Sequence, residues 1–205
     1  MTQCKCGCGI ELPEHSGRGR RREFATPTCR KRYERAMGST RVPDAMAMAT
    51  RWMRWRRMVR GDGATKMPVC CDGSPASSTN PDTWTALSIA EESKTGDGLG
   101  FALGDGFACI DLDHCYDSRG YLADWAKMIL APVEGRTYIE VSPSGDGLHI
   151  WGTCATRKGL KVRGLMNVEA YSQGRYMTWT GRRWRDSPSK LADLTFLFDV
   201  IERLA

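Results

Sequence analysis

The run Phe107-Ala108-Cys109-Ile110-Asp111-Leu112-Asp113-His114 constrains the fold more than any other part of the chain. It is apolar enough to be a buried strand, yet it ends in two carboxylates two positions apart. Side chains two apart on a strand share a face, so Asp111 and Asp113 stand side by side. Two unpaired carboxylates on one face repel each other, and burying them is costly. A divalent cation removes that cost. The pair points to metal chemistry at the end of a buried strand.

The surrounding pattern is that of an α+β globule, a largely antiparallel sheet with packed helices. Strands are expected at Arg51–Arg56, 99–103, 107–112, 137–141, 148–152, 166–171 and 176–180. Gly104-Asp105-Gly106 reads as a hairpin turn between two of them. Asp82 is expected to cap a helix over 83–93. Helical periodicity covers Leu122–Leu130 and Leu191–Leu204. A short helix over Thr28–Met37 has Pro27 beside its first turn. The expected organisation is a Cys-rich basic module over 1–38, a linker over 39–49 and a catalytic domain over 50–205.

Charge divides the chain in the same place. Residues 1–60 hold 15 Lys/Arg and 5 Asp/Glu, whereas 61–205 hold 15 and 19, for a total of +6. A basic front on a slightly acidic globule suggests a nucleic-acid partner. Arg18, Arg20, Arg21, Arg22, Arg30, Lys31 and Arg32 are the expected phosphate-backbone contacts. No apolar run is long enough for a membrane span and no signal peptide opens the chain, so a soluble cytoplasmic protein is expected, with no membrane partner. The nine cysteines are odd in number, and a disulfide framework is not expected. Cys4, Cys6, Cys8 and Cys29 could instead form one structural Zn²⁺ site, folding a segment too small to build its own core. Their alternating Cys-x-Cys-x-Cys spacing departs from the usual knuckle, and His15 is a substitute ligand.

Beyond the Asp pair, three segments place polar residues on otherwise apolar strands. They are Ser142-Pro143-Ser144-Gly145-Asp146-Gly147-Leu148-His149, then Asn167-Val168-Glu169-Ala170-Tyr171, then Arg175-Tyr176-Met177-Thr178. Each has a bland reading as a turn, a satisfied core histidine or a solvent-facing edge. As a set they suit phosphoryl transfer. Three carboxylates can hold two hard divalent ions about 3.5–4 Å apart, and a Gly-rich loop offers backbone N–H groups to phosphate oxygens.

At this point the chain resembles the archaeo-eukaryotic primase superfamily, and within it the bifunctional primase–polymerase domains of phages and plasmids. The resemblance rests on Ile110-Asp111-Leu112-Asp113, on Ser144 through His149, and on Val168-Glu169. It extends to the flanks Lys66-Met67-Pro68, Ala76–Trp84 and Gly100–Gly106, and covers about residues 50–185. It implies an RRM-like catalytic sheet and template-directed joining of nucleotides, including starting a chain without a primer. By carry-over, Asp111, Asp113 and Glu169 bind two Mg²⁺ or Mn²⁺ ions. Ser144, Gly145, Gly147 and His149 contact the triphosphate, with His149 counted among the catalytic residues. Arg175 and Lys66 are nucleotide or template contacts. Glu169 stands where Asp is commoner, and the Ser-to-His spacing is longer than the minimal motif.

The leading expectation is a DNA primase/polymerase, a nucleotidyltransferase of phage or mobile-element replication. Its partners would be single-stranded DNA template, nucleoside triphosphates and a separate helicase, because the chain holds no Walker motif. A two-metal nuclease and a non-catalytic nucleic-acid-binding replication factor are the competing readings.

Overall fold

A computed structural model describes residues 2–4, 10–13, 17, 21–31, 42–61 and 63–205. Most of the described chain forms two sheets. The first is a four-stranded antiparallel sheet in the order β11-β5-β3-β4, made of β3 (Trp52–Arg60), β4 (Gly63–Val69), β5 (Gly98–Ala102) and β11 (Tyr176–Trp179). The second contains β6 (Phe107–Leu112), β7 (Ile139–Val141), β8 (Leu148–Thr153), β9 (Leu160–Val162), β10 (Val168–Tyr171) and β12 (Ala192–Asp193). Its order is β12-β8-β6-β10-β9, with β7 also paired to β8. Among the described residues, every strand pairing is antiparallel except β12 with β8. A separate two-stranded pair, β1 (Thr2–Gln3) and β2 (Glu11–Leu12), lies near the N-terminus. The α+β expectation matches this architecture.

Alternation along β6, β8 and β10 assigns the two cores. Ala108, Ile110, Leu112, Leu148, Ile150, Val168 and Ala170 point to one face, where helices α3 (Asp124–Leu130) and α4 (Thr195–Glu202) cover them with Ile129, Leu130, Leu197, Phe198 and Ile201. Cys109, Trp151 and Tyr171 point to the other face and meet Trp52, Phe101 and Trp179 of the four-stranded sheet. This inter-sheet layer is aromatic. Trp52 packs edge-on to Phe101 at 5.0 Å and to Trp179 at 5.7 Å, and Tyr138 stacks on Trp179 at 4.7 Å. Each such pair adds about 0.5–1.5 kcal/mol beyond its burial.

The structure corrects several sequence expectations. The turn at Gly104-Asp105-Gly106 does not close a hairpin. A single bridge joins Gly104 to Phe107, after which β5 pairs with β3 and β11 while β6 pairs with β8 and β10. The left-handed backbone of all three turn residues carries the chain from one layer to the other, and Arg51 pins Asp105 at 2.5 Å. Asp82 caps no long helix. A 3-10 turn at Pro81–Thr83, capped by Asn80, is followed by extended backbone that pairs Thr85 with Trp52, and α2 begins only at Leu87 (Leu87–Glu92). The last helix is shorter than its apolar pattern, because Ala192–Asp193 is drawn into the sheet beside β8. Within the stretch expected to be a linker, α1 (Asp44–Met48) buries Met46 fully, and the Met46 carbonyl accepts the Trp52 indole N–H at 2.9 Å. The chain is thus part of the inter-sheet core from Val42 onward. Residues 27–31 are helical as expected; 32–37 lie outside the described residues. Among the described residues, no helix is long and apolar enough to cross a membrane.

Candidate active site

Register places the polar residues of the second sheet in one line. Glu140 on β7 pairs with His149 on β8, His149 with Asp111 on β6, Asp111 with Glu169 on β10, and Glu169 with Lys161 on β9. Five strands each contribute one ionisable side chain, on the face that meets the four-stranded sheet. Three segments remote in sequence converge on Asp111 because antiparallel pairing aligns them residue for residue.

The line is anchored at its buried end. Glu140 is 0% and His149 2% exposed. The Glu140 carboxylate accepts the backbone N–H groups of Thr180 and Gly181, at 3.1 and 2.9 Å, and the Trp151 indole N–H at 3.2 Å. His149 Nδ1 lies 3.0 Å from Glu140 Oε1, and its Nε2 faces Asp111 Oδ1 at 3.7 Å. Burial works against protonation of the imidazole, but Asp111 and Glu140 outweigh it and its pKa is raised. His149 therefore lies beneath the surface as a buried bridge between two carboxylates, while the resemblance implies a contact to triphosphate.

Asp111 is the least satisfied member. Its separation from His149 is too long for a hydrogen bond, and Oδ1 is buried without a hydrogen-bond partner. Burial pushes the carboxyl up to about 6; His149 and Lys66 oppose the rise, whereas Asp113 and Glu169 add to it. Asp113 follows the last residue of β6 and is half-buried, its backbone N–H donating to the Asn167 carbonyl at 2.9 Å. Such an orphaned carboxylate, its ionised form disfavoured by burial and by two other acids, fits a cation-binding position.

Glu169 is directly across from Asp111, but its carboxylate is engaged elsewhere. It pairs with Arg163 and with Lys161 at 3.3 Å, and accepts the Tyr171 hydroxyl at 2.6 Å. Burial works to raise its pKa, and Tyr171, Lys161 and Arg163 outweigh burial and hold it low. Among the described residues, no three His, Cys, Asp or Glu side chains enclose a point where a metal ion could sit. Asp111 and Glu169 are adjacent on the sheet and Asp113 lies one residue past the end of β6, without a common centre.

The remaining expected residues surround the line. The Ser142–Gly147 loop closes tightly, with Ser142 N–H donating to the Gly147 carbonyl at 2.9 Å and Gly145 in the left-handed region. A Cβ at Gly147 would come within 2.7 Å of the Leu112 carbonyl, so glycine lets this loop press against the end of β6. Ser144 donates to Asp146 at 2.5 Å, and Asp146 also meets His114 at 2.5 Å. Arg175 lies over the Tyr171 ring at 5.1 Å. Lys66, on the other sheet, has its ammonium 5.9 Å from the Trp55 ring, and its carbonyl accepts the Tyr176 hydroxyl at 2.6 Å. A cleft of about 530 Å³ opens between Trp55, Gly98, Pro143, Gly181 and Arg182.

Sequence reasoning missed Glu140, although the signal was present. It is the lone charge in Tyr138-Ile139-Glu140-Val141, on the same alternation as Tyr138. Lys161 and Arg163 were missed as well, because only the pairing of β9 with β10 brings them to Glu169.

At the N-terminus, Cys4 and Cys29 come together in a small cluster with Leu12, Phe24 and Ala25. The Ala25 N–H donates to Cys4 Sγ at 3.1 Å, and the Thr26 hydroxyl donates to Cys29 Sγ at 3.2 Å. Cys6, Cys8, His15, Arg18, Arg20 and Arg32 lie outside the described residues. Arg21, Arg22, Arg30 and Lys31 are exposed, the first three lining a groove of about 390 Å³ with Phe24. Cys70, Cys71, Cys109, Cys115 and Cys154 form no disulfide.

Comparison with known proteins bears on this arrangement. The chain is 33% identical over 171 residues, 77% of its length, to the DNA primase-polymerase of Nitratiruptor phage NrS-1. It belongs to the primase–polymerase family. The chain spans 23% of that relative's length. No family model matches the chain. Membership in the primase–polymerase family accords with the convergence of the Asp111, His149 and Glu169 segments on neighbouring strands.

Proposed function

We propose that the chain carries the nucleotidyl-transfer site of a DNA primase/polymerase of phage or mobile-element replication, with the sheet bearing β6, β8 and β10 as its RRM-like catalytic sheet. The observation that carries this reading is the aligned row Glu140–His149–Asp111–Glu169 in a chain similar to a phage DNA primase-polymerase. Asp111 and Asp113 would hold Mg²⁺ or Mn²⁺, with Glu169 joining them once it exchanges Lys161 and Arg163 for the cation. The ions would supply an activated attacking hydroxyl and neutralise charge on the leaving pyrophosphate. His149, held by Glu140, faces the Asp111 carboxylate at 3.7 Å and would favour its ionised form through charge alone. The Ser144–Gly147 loop and Arg175 would receive the triphosphate, and Lys66 the nucleotide or template strand. In the N-terminal module, the shared Cys4–Cys29 cluster supports a structural Zn²⁺ completed by Cys6 and Cys8, with the surrounding arginines on template phosphates. A separate helicase and a cytoplasmic setting accompany this reading.

The test is primer synthesis on single-stranded DNA with triphosphates and Mn²⁺ or Mg²⁺. Template-length products that vanish in Asp111→Ala and Asp113→Ala are expected. Shortening of the template, with no new product, would assign the site to a nuclease instead. For the module, zinc content near one equivalent is expected; near-zero metal with Cys4 and Cys29 readily alkylated would refute the zinc site.

A further inference from the structure

The site leaves the outer half of the β3–β4 ribbon unexplained. β3 and β4 pair from Arg54 with Val69 to Arg60 with Gly63, whereas β5 pairs with β3 only from Trp52 to Trp55. Beyond Trp55 the ribbon leaves its sheet, and Arg56, Arg57, Val59, Ala64, Thr65 and Lys66 are exposed. Two strands without a third are marginally stable in water, so a projecting ribbon is retained at some cost to folding.

Its charges are nearly all positive. The sequence from Arg54 to Val69 holds Arg54, Arg56, Arg57, Arg60 and Lys66 against one carboxylate, Asp62. Positive charge on an exposed edge also protects against aggregation, but that role does not require two like charges to face each other. Arg57 and Lys66 are moreover directly opposite each other across the ribbon. Like charges in that position destabilise the pair. Among the described residues, neither side chain is within ion-pair distance of a carboxylate, although the Asp97 carboxylate accepts the Arg57 backbone N–H at 2.6 Å. A polyanion lying along the ribbon would remove the repulsion.

The face is continuous with the candidate site. Arg57 and Lys66 lie two residues along from the paired Trp55 and Pro68, on the same face of the ribbon, and Trp55 lines the cleft beside Pro143 and Gly181. Lys66 is close enough for its charge to bear on both Asp111 and His149. Five strand residues beyond Trp55 extend about 17 Å at roughly 3.4 Å each. That reach is too long for one triphosphate and suits several nucleotides of a strand.

We propose that the Arg57–Lys66 face of this ribbon grips the sugar–phosphate backbone of a single-stranded nucleic acid leading to the cleft. This deepens the function proposed above and rests on it for the identity of the strand. The grip gives affinity and alignment without sequence preference.

Fluorescence anisotropy of a labelled oligothymidylate of about 20 nucleotides, titrated with the full chain without metal or triphosphate, tests the proposal. Arg57→Glu is expected to weaken binding by about tenfold or more near 0.1 M salt, and to flatten the slope of log K against log salt by about 0.7 per lost contact. Arg203→Glu makes the same change in net charge at an exposed position far along the chain, and is expected to stay within about twofold of the parent. Because a glutamate opposite Lys66 relieves the like-charge pair, Arg57→Glu is expected to melt no lower than the parent; Arg57→Gln gives the same test with a smaller effect if the reversal disturbs folding. Equal losses in Arg57→Glu and Arg203→Glu, or no loss in either, would overturn the proposal, as would a loss confined to duplex DNA. Primer synthesis by the parent separates the two readings. Synthesis with an unaffected Arg57→Glu sinks the ribbon alone, whereas no synthesis with weakened binding sinks the polymerase reading and leaves the ribbon.

Discussion

The two faces of the six-stranded sheet are built from the same strands, one residue out of step, and they solve opposite problems. On the helix-covered face, Ile110, Leu112, Leu148 and Ile150 are fully buried and carry no polar side-chain atom. On the other face, the alternate residues Asp111, His149 and Glu140 are also buried or nearly so, yet all are ionisable. Apolar burial is non-directional and tolerates approximate packing. Buried charge is tolerated only with correctly placed partners. Glu140 has them from β8, from the Thr180–Gly181 backbone and from His149; Asp111 does not. The contrast within the polar face is as informative as the contrast between faces: one carboxylate is fully served by the fold, and the next but one is left for something the fold does not contain.

The two faces differ most at Asp111. Asp111→Ala should lower synthesis on the order of 10³-fold or more while leaving oligonucleotide affinity within about threefold, because Asp111 reaches the ribbon only through its charge on Lys66. Since burying this oxygen unpartnered is a cost, Asp111→Asn should melt higher than the parent at neutral pH, by the equivalent of about 1–2 kcal/mol. A lower melting temperature would mean that Asp111 is structural, like Glu140. Next in size is Glu140→Ala, which strands His149, the Trp151 indole and two backbone N–H groups. A loss of about 3–5 kcal/mol in denaturant unfolding is expected, and stability within 1 kcal/mol of the parent would show that the polar face needs no anchor. On the apolar face, Ile110→Ala should cost about 2–5 kcal/mol, but activity per folded molecule should persist, because the cavity opens away from the row. Smallest is Leu165→Ser. Leu165 is 97% exposed, and a change within about 0.5 kcal/mol is expected; a larger loss would reveal a contact on this loop.

Much of the site was legible before the fold. Asp111, His149 and Glu169 each interrupt an apolar strand, and period-two alternation identifies the face they share, whereas Asp113 falls one residue past the end of β6. Glu140 is equally visible by that rule, yet it passed unnoticed because a single glutamate in a short strand has a ready solvent-facing reading. The hairpin expected at Gly104–Gly106 failed for a different reason. Turn chemistry reports that the chain reverses locally, and it is silent on whether the flanking strands then pair with each other or with more distant partners. Here Phe101 and Phe107 both enter the aromatic layer, 5.0 Å apart, and each strand finds better neighbours in its own sheet. The helix expected after Asp82 failed likewise, because Thr85 is held by Trp52 in extended form.

What the sequence determined by itself is local: which residues alternate, where glycines permit turns, which acids sit in apolar runs, and that the front is basic. These follow from side-chain chemistry and backbone sterics within a few residues. Tertiary structure decided who stands opposite whom. Register put His149 and Glu169 on either side of Asp111, gave Glu140 its donors, turned Glu169 toward Lys161 and Arg163, and set Arg57 against Lys66. Those outcomes depend on pairing between segments tens of residues apart, whose free energy belongs to the assembled sheets and to no single stretch of chain.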